Sequence, residues 1–228
     1  MAFDKLILNL PHSSLVIPDD AVYEDYHQLL IDNNKWTDHY TDVIFHPSSD
    51  LLREIAVYRF PYSRFYIDAE RLVNDPMEKI GQGIIYKDFN GNKRLISKQD
   101  EERLYAIYNN YVNSFIIPRN SLLIDCHSFP SDLSDVSICI GFNEDESKPS
   151  AETLDIIYSS FKESGICKIE YNKPYSNSFT PIKPVDYKSV MIEINKSVYM
   201  NEQSLALLPT WYKIGNIINK MYKKLLNE

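Results

Sequence analysis

Two histidines follow short apolar runs that are typical of buried strands. His12 comes after Leu6 to Leu10 and a proline, and His127 follows Leu122 to Cys126. In an open α/β sheet, residues at the carboxyl ends of strands point into the crevice where ligands bind, so two imidazoles arriving there can share one metal ion. Either histidine alone is more simply explained as a hydrogen-bonded core or rim residue. The pair, with acidic residues nearby, indicates a metal site.

A third metal ligand is available in the segment that runs from Trp36 to Asp42. Asp38 and Asp42 stand four residues apart, so a helix over residues 34–45 would place both carboxylates on one face. Acidic residues near a helix start also favour the helix dipole, which is the structural alternative. Spacing alone does not choose between the two aspartates.

Glu193 is a carboxylate inside an apolar run, Val190 to Ile194. Burying it without a cation or a hydrogen-bond network would cost several kcal/mol. One interpretation is that it faces solvent from an edge strand. The other is that it points into the site, where it would act as a general base on a metal-activated water molecule.

Two arginines flank an aromatic stretch that also carries two acids. Arg64 and Arg71 stand at the two ends of this stretch, and Asp68 and Glu70 lie between them. A solvated strand edge with internal ion pairs would explain this pattern. Guanidinium groups are also the preferred bidentate partners of carboxylates, so the pair could hold a small acidic substrate.

These residues must be positioned by an alternation of strands and helices, which predicts an α/β domain with a mixed sheet and helices on its faces. The predicted strands cover residues 6–10, 55–60, 65–67, 122–126, 136–140 and 190–194. The predicted helices cover 34–45, a segment starting at Ser97, 150–163 and a segment starting at Pro209. Turns are expected between 74 and 92, where three glycines occur.

Composition restricts the class of protein. The net charge of -8, from 24 basic and 32 acidic residues, argues against binding to nucleic acid or to an anionic membrane surface. No stretch reaches the roughly twenty apolar residues of a membrane span, and the N-terminus lacks the features of a signal peptide. No Gly, Ser or Pro-rich linker interrupts the chain, so a single domain over 1–228 is expected.

Three cysteines, Cys126, Cys139 and Cys167, form no CxxC pair and leave an odd count. Reduced thiols in a cytoplasmic protein are therefore expected. Each lies in or beside an apolar run, which indicates buried packing.

The ordered set of motifs resembles the N-formylglutamate amidohydrolase family over about residues 5–203. The strings that carry the resemblance are Pro-His12-Ser-Ser, Thr37-Asp38, Tyr62-Ser-Arg64-Phe-Tyr-Ile-Asp68-Ala-Glu70-Arg71, Asp125-Cys-His127-Ser and Ile192-Glu193 through Glu202. That family resembles zinc carboxypeptidases and aspartoacylases, which implies a zinc-carboxypeptidase-like fold with a mainly parallel sheet.

The resemblance also implies roles for individual residues. Zinc would be held by His12, Asp38 and His127, which favours Asp38 over Asp42, and a fourth position would stay open for water. Glu193 would be the general base. Arg64 and Arg71 would serve the substrate, one polarising the scissile carbonyl and one binding a carboxylate.

The chain departs from the family pattern in the predicted substrate pocket. Glu70 stands where an Asn is usual, and Val112 replaces a histidine on the middle helix. Asn177 and Ser178 replace two glycines, and Lys183 is the nearest counterpart of an arginine that binds substrate. Hydrolysis of an N-acyl amino acid or a related small acidic amide is expected. The alternatives are an inactive metal-binding or ligand-binding member of the fold and a zinc peptidase, and the oligomeric state is left open.

Overall fold

The computed structural model describes residues 2–163, 165 and 168–227. Its chain forms two compact units. The large unit consists of Met1–Leu10, His39–Tyr58 and Ile116–Glu228, and the small unit of Pro11–Asp38 and Arg59–Phe115. The expectation of one domain over the whole chain stays a prediction.

The elements follow in chain order. Among the described residues the strands are β1 (Lys5–Leu10), β2 (Val22–Tyr23), β3 (Ile55–Arg59), β4 (Asp88–Phe89), β5 (Asn92–Leu95), β6 (Ser121–Phe129), β7 (Ile138–Gly141), β8 (Ile169–Tyr171), β9 (Lys188–Asn195), β10 (Met200–Asn201) and β11 (Ala206–Leu207). The α-helices are α1 (Tyr26–Trp36), α2 (Thr41–Ile44), α3 (Lys98–Ser114), α4 (Ala151–Lys162) and α5 (Thr210–Leu226). Short 3-10 helices cover Ser49–Leu51, Pro76–Ile80 and Lys196–Val198.

The large unit is built on a six-stranded sheet in the order β3-β1-β6-β9-β7-β8. The pairs β1–β6, β6–β9 and β7–β8 are parallel, and β7 runs antiparallel to β9. Apolar side chains of the strands form one core with residues of α2, α4 and α5. This architecture confirms the prediction of a mixed, mainly parallel sheet flanked by helices.

Alternation along the central strands separates two kinds of side chain. Leu8, Ile124 and Ile192 belong to the apolar core with the helices. Their neighbours Asn9 and Asp125 point to the opposite face, because successive strand residues alternate between faces. Burial is complete on both faces of these strands, so the polar residues are buried as well.

The small unit has a three-stranded antiparallel sheet in the order β2-β5-β4, together with α1 and α3. Its core is rich in aromatic residues. The ring centroids of Phe65 and Phe89 lie 4.9 Å apart in a T-shaped contact, a favoured geometry for aromatic pairs. Most of its remaining chain forms turns, including Gly81 at φ 79° and Gly91 at φ 88° in the predicted turn region.

The predicted helix over 34–45 is wrong. Helix α1 ends at Trp36, and Thr37 takes an extended conformation with ψ 136°. The amide of Asp38 donates to the carbonyl of His12 at 2.9 Å, so the chain leaves the helical ladder there. Tyr40 is left-handed, with φ 64°, before the short helix α2 begins.

The predicted strand over 65–67 is also wrong, because this segment forms a turn. The carbonyl of Ser63 accepts from the amides of Tyr66 at 2.9 Å and Ile67 at 3.2 Å. The Ser63 hydroxyl accepts from the amide of Phe65 at 3.1 Å. All three aromatic and apolar side chains are buried, which explains why the apolar pattern resembled a strand.

Cys126 and Cys139 are buried free thiols, as expected, and Cys167 lies outside the described residues. Within the described part of the chain, no helix combines the length and apolar character needed to cross a bilayer. The cytoplasmic location stays a prediction.

Candidate active-site residues

His12 is fixed by a buried carboxylate of the small unit. Its Nε2 lies 2.8 Å from Asp68 Oδ1, and both side chains are 1% exposed. A carboxylate accepts, so Nε2 carries the proton and Nδ1 keeps its lone pair. This is the arrangement by which an outer carboxylate orients a metal-binding histidine.

Asp38 lies beside the other imidazole nitrogen. Its Oδ2 is 3.8 Å from His12 Nδ1, and its side chain is 2% exposed. The break after α1 positions it, since its amide donates to the carbonyl of His12. Asp42 instead occupies the first turn of α2, in the large unit, so the two aspartates do not share a helical face.

Asp68 collects donors from several parts of the small unit. Beyond His12, it accepts from Tyr86 Oη at 2.6 Å and from the amide of Glu70 at 3.2 Å. Arg71 Nε lies 3.6 Å away. Burial by itself would raise the pKa of Asp68, but the hydrogen bond from His12 and the charges of Arg71 and then Arg64 hold that pKa well below its usual value.

Arg64 approaches the same imidazole. Its Nη2 donates to His12 Nδ1 at 2.5 Å and lies 3.6 Å from Asp38 Oδ1. Burial opposes the charged form of Arg64, yet Tyr86 and the nearby carboxylates, Asp38 first among them, raise its pKa. A cation therefore occupies the position between the imidazole lone pair and the Asp38 carboxylate.

Arg71 is more accessible than Arg64, at 29% against 16% exposed. Its guanidinium faces Asp68 on one side and Asp75 Oδ2, at 3.9 Å, on the other. The structure thus brings the two predicted substrate arginines into the neighbourhood of His12, as part of a network of ion pairs.

The donor chemistry of the small unit suits a metal ion. His12, Asp68 and Glu70 each offer one possible ligand atom, and these three atoms lie within 4.8 Å of one another. Because Asp68 already accepts from His12 Nε2, its position is that of an orienting group. Imidazole and carboxylate donors are those that zinc takes in catalytic sites. A buried histidine and carboxylate group that could bind a metal is therefore present.

His127 lies inside β6, the seventh of its nine residues, where the sequence predicted a position just beyond the strand. It shares a sheet face with Asp125 and with Glu193, its registered partner on β9. His127 Nε2 is 3.1 Å from Asp125 Oδ1, so a buried carboxylate lies beside this imidazole. Asn9, registered with Asp125, donates to the same oxygen at 2.7 Å.

Glu193 lies on a central strand, because β9 has β6 on one side and β7 on the other. The solvent-facing edge interpretation is therefore wrong, and the residue is 8% exposed. Cys139 is its antiparallel partner. Burial chiefly, with a smaller contribution from the charge of Glu193, raises the pKa of Cys139 to about 11, which keeps that thiol protonated. We call Asn9, Asp125, His127 and Glu193 the polar row of the large unit.

Lys183 is exposed, in the loop before β9. The hydrogen bonds of Ser147 lower the pKa of Asp145, and Lys183 adds a smaller charge effect. Its role toward a substrate stays a prediction.

Sequence reasoning missed that Asp68 orients His12, that Tyr86 donates to Asp68, and that Asp125 lies beside His127. Asp125 had a signal, since Asp125 and His127 are two apart in a strand and must share a face. Tyr86 had none, because its contact with Asp68 spans 18 residues and a stretch of turns.

Comparison with known proteins identifies a family. The sequence model for N-formylglutamate amidohydrolase matches residues 4–200. The crystal structure of an N-formylglutamate amidohydrolase from Ralstonia eutropha has a TM-score of 0.73 at 16% identity, with 99% of this chain and 94% of that chain covered. The crystal structure of a gene product from Agrobacterium tumefaciens has a TM-score of 0.65 at 16% identity, with 99% of this chain and 91% of that chain covered. No curated protein matches the chain.

Proposed function

The chain belongs to the N-formylglutamate amidohydrolase family, and from that premise we propose that it is a zinc-dependent amidohydrolase. Its substrate would be an N-acyl amino acid, with N-formyl compounds as the first candidates, or a related small acidic amide. The observation that carries this proposal is the buried His12. Its Nε2 is held by Asp68, and its Nδ1 faces Asp38 and a cation.

We assign zinc binding to His12 and Asp38 of the small unit and His127 of the large unit. Two features support this set. The Nε2 of His12 is held by the buried Asp68 carboxylate at 2.8 Å, which leaves Nδ1 as the donor. A buried carboxylate, Asp125, also lies 3.1 Å from His127 Nε2. Three protein ligands of this kind leave a position open for catalysis. When bound, zinc would polarise the amide carbonyl and lower the pKa of a water molecule to about 7.

The remaining groups bind the substrate and move protons. Arg71, with its accessible guanidinium, would hold the substrate carboxylate, because its planar fork matches a carboxylate bidentately. Arg64, more buried and adjacent to His12, would stabilise the negative charge that develops on the amide oxygen. Glu193 would take a proton from the attacking water at its carboxylate and deliver it to the departing nitrogen. The products are a carboxylic acid and an amine.

Metal analysis and a hydrolysis screen test the proposal together. The purified protein should hold about one zinc per chain, and it should hydrolyse N-acyl amino acids in a manner that a chelator abolishes and added zinc restores. His12→Ala, Asp38→Ala and His127→Ala should each lose most of the metal.

Two histidines serve as matched controls, since His27 and His46 are exposed, one in each unit. His27→Ala and His46→Ala should keep parental zinc and activity. Full zinc occupancy in His127→Ala would overturn the ligand assignment. Zinc binding without hydrolysis of any amide would favour a metal-binding protein that lacks turnover.

A further inference from the structure

The arginines near His12 are already matched by acids. Arg64 and Arg71 contribute two positive charges, and Asp38, Asp68 and Glu70 contribute three negative charges within the same cluster. With His12 neutral, one negative charge remains. A guanidinium that is shared with buried carboxylates attracts a further anion less strongly than one that faces only the substrate.

Glu70 is the accessible acid of this cluster. Its side chain is 30% exposed, whereas those of Asp38 and Asp68 are 2% and 1% exposed. Its Oε2 lies 3.7 Å from His12 Nδ1, and its backbone amide is fixed by Asp68 Oδ1 at 3.2 Å. The Glu70 carboxylate therefore lies beside the imidazole nitrogen that we assign to the metal.

Glu70 also acts on both arginines. Burial is the largest effect and lowers the pKa of Arg64 and of Arg71, and the negative charge of Glu70 is one of the smaller effects that raise these two pKa values. Arg71, the next residue, is exposed to a similar degree, at 29%. A substrate group bound at Arg71 would therefore lie in the field of the Glu70 carboxylate. Arg71 can pair with one substrate carboxylate, and Glu70 would repel a second one nearby.

We propose, building on the proposed function, that Glu70 selects substrates whose amino-acid side chain is neutral or cationic. The substrate class is an N-acyl amino acid with one carboxylate, at the α position, and no acid in its side chain. Glu70 acts as an electrostatic barrier against acidic side chains and attracts an ammonium or amide group. Specificity of this kind arises from repulsion of the wrong ligand as well as attraction of the right one.

The test compares the Nα-formyl derivatives of glutamate, glutamine and lysine. The parent should give a higher kcat/KM for the glutamine and lysine compounds than for the glutamate compound. Glu70→Gln removes the charge and keeps the shape. In this variant the ratio of kcat/KM for the glutamine compound to kcat/KM for the glutamate compound should fall by about tenfold or more, equivalent to about 1.4 kcal/mol. Glu102→Gln, at an exposed position of α3 in the same unit, is the matched control and should leave the ratio unchanged.

A parent that prefers formylglutamate, or a Glu70→Gln variant with the parental ratio, would overturn the inference. The experiment distinguishes failure of this inference about Glu70 from failure of the proposed function. If the parent hydrolyses none of the three compounds, calorimetric dissociation constants of the same compounds decide the inference, whereas the proposed amidohydrolase activity fails only if the wider screen of N-acyl amino acids shows no hydrolysis either. Tighter binding of the glutamate compound, or no binding of any of the three, would then refute it.

Discussion

Asp68→Asn is the most informative single substitution in the small unit. The carboxylate accepts two short hydrogen bonds, from His12 Nε2 at 2.8 Å and from Tyr86 Oη at 2.6 Å. Asparagine has one acceptor oxygen, so its NH2 group must face one of these two donors. An NH2 group that faces His12 sets two donors against each other, and one that faces Tyr86 can donate to Oη but leaves the hydroxyl proton of Tyr86 without its acceptor. In either case one buried donor loses the acceptor that the carboxylate provided.

The expected cost follows from these contacts. A hydrogen bond to a charged group contributes about 1.5–3 kcal/mol, and a buried unsatisfied donor costs about 1–3 kcal/mol. These figures overlap, and removing the buried charge offsets part of them. We expect the free energy of unfolding of the metal-free protein to fall by about 2–4 kcal/mol. Zinc affinity should fall by about 10–100-fold, the usual effect of losing a carboxylate that orients a histidine ligand.

The same substitution changes the response to acid. Because the folded pKa of Asp68 is held below its unfolded value, its charge stabilises the fold above the unfolded pKa of about 3.9. That contribution is lost as the pH falls from there through the folded pKa, by at most about 1.36 kcal/mol per pH unit. The unfolding free energies of parent and Asp68→Asn should therefore converge below about pH 4.

Urea unfolding at several pH values gives the stability difference, and chelator competition gives the zinc affinity. Asp19→Asn makes the same change at an exposed position of the same unit and should match the parent in both assays. Parental zinc affinity in Asp68→Asn would refute the reasoning that Asp68 fixes the tautomer of His12. Stability curves that stay parallel down to acid pH would show that its charge does not stabilise the fold.

Three further predictions test other parts of the molecule. Glu193→Gln keeps the shape of the side chain but removes the base, so zinc should stay bound while kcat falls by about 100-fold or more. An unchanged kcat would show that Glu193 has a structural role only. Arg71→Lys keeps the positive charge but loses the planar guanidinium that binds a carboxylate through two hydrogen bonds. KM for an N-acyl amino acid should therefore rise by about tenfold, equivalent to about 1.4 kcal/mol. An unchanged KM would show that Arg71 serves only in its ion pairs with the nearby acids. Gly141→Ala would put a Cβ against Met191 Cε and 2.6 Å from the carbonyl oxygen of Asn177. Because the backbone carbonyl cannot move away easily, the free energy of unfolding, measured by heat or urea, should fall by about 1–3 kcal/mol. Parental stability would show that the structure can accommodate a methyl group at this position of the strand.

The elements that could be predicted are those whose own residues specify them. Ser97 and Ser150 cap α3 and α4, accepting from the amides of Asp100 and Thr153. The long apolar runs of β1, β6 and β9 were predicted because both faces of these strands are buried. Elements set by distant partners were missed. Strands β2, β4 and β5 have two to four residues each and are defined by their antiparallel pairing, and the end of α1 depends on the carbonyl of His12.

The candidate site was predictable to a similar extent. The resemblance supplied His12, Asp38, Arg64 and Arg71 together, and the structure brings these four into one network within the small unit. The sequence left open whether the two arginines form ion pairs with the nearby acids, because pairing depends on side-chain positions. The distances show that each arginine has carboxylate partners.

The polar row of the large unit is explained by chemistry better than by stability. Asn9, Asp125, His127 and Glu193 are all at most 8% exposed, on a sheet whose opposite face is apolar. Burying these groups costs free energy that their mutual contacts must offset. Well-packed apolar residues of similar volume often stabilise such positions equally well or better. Apolar packing alone gives no reason for these four side chains, whereas a histidine next to a buried carboxylate and a buried glutamate suits the metal-assisted amide hydrolysis that we propose.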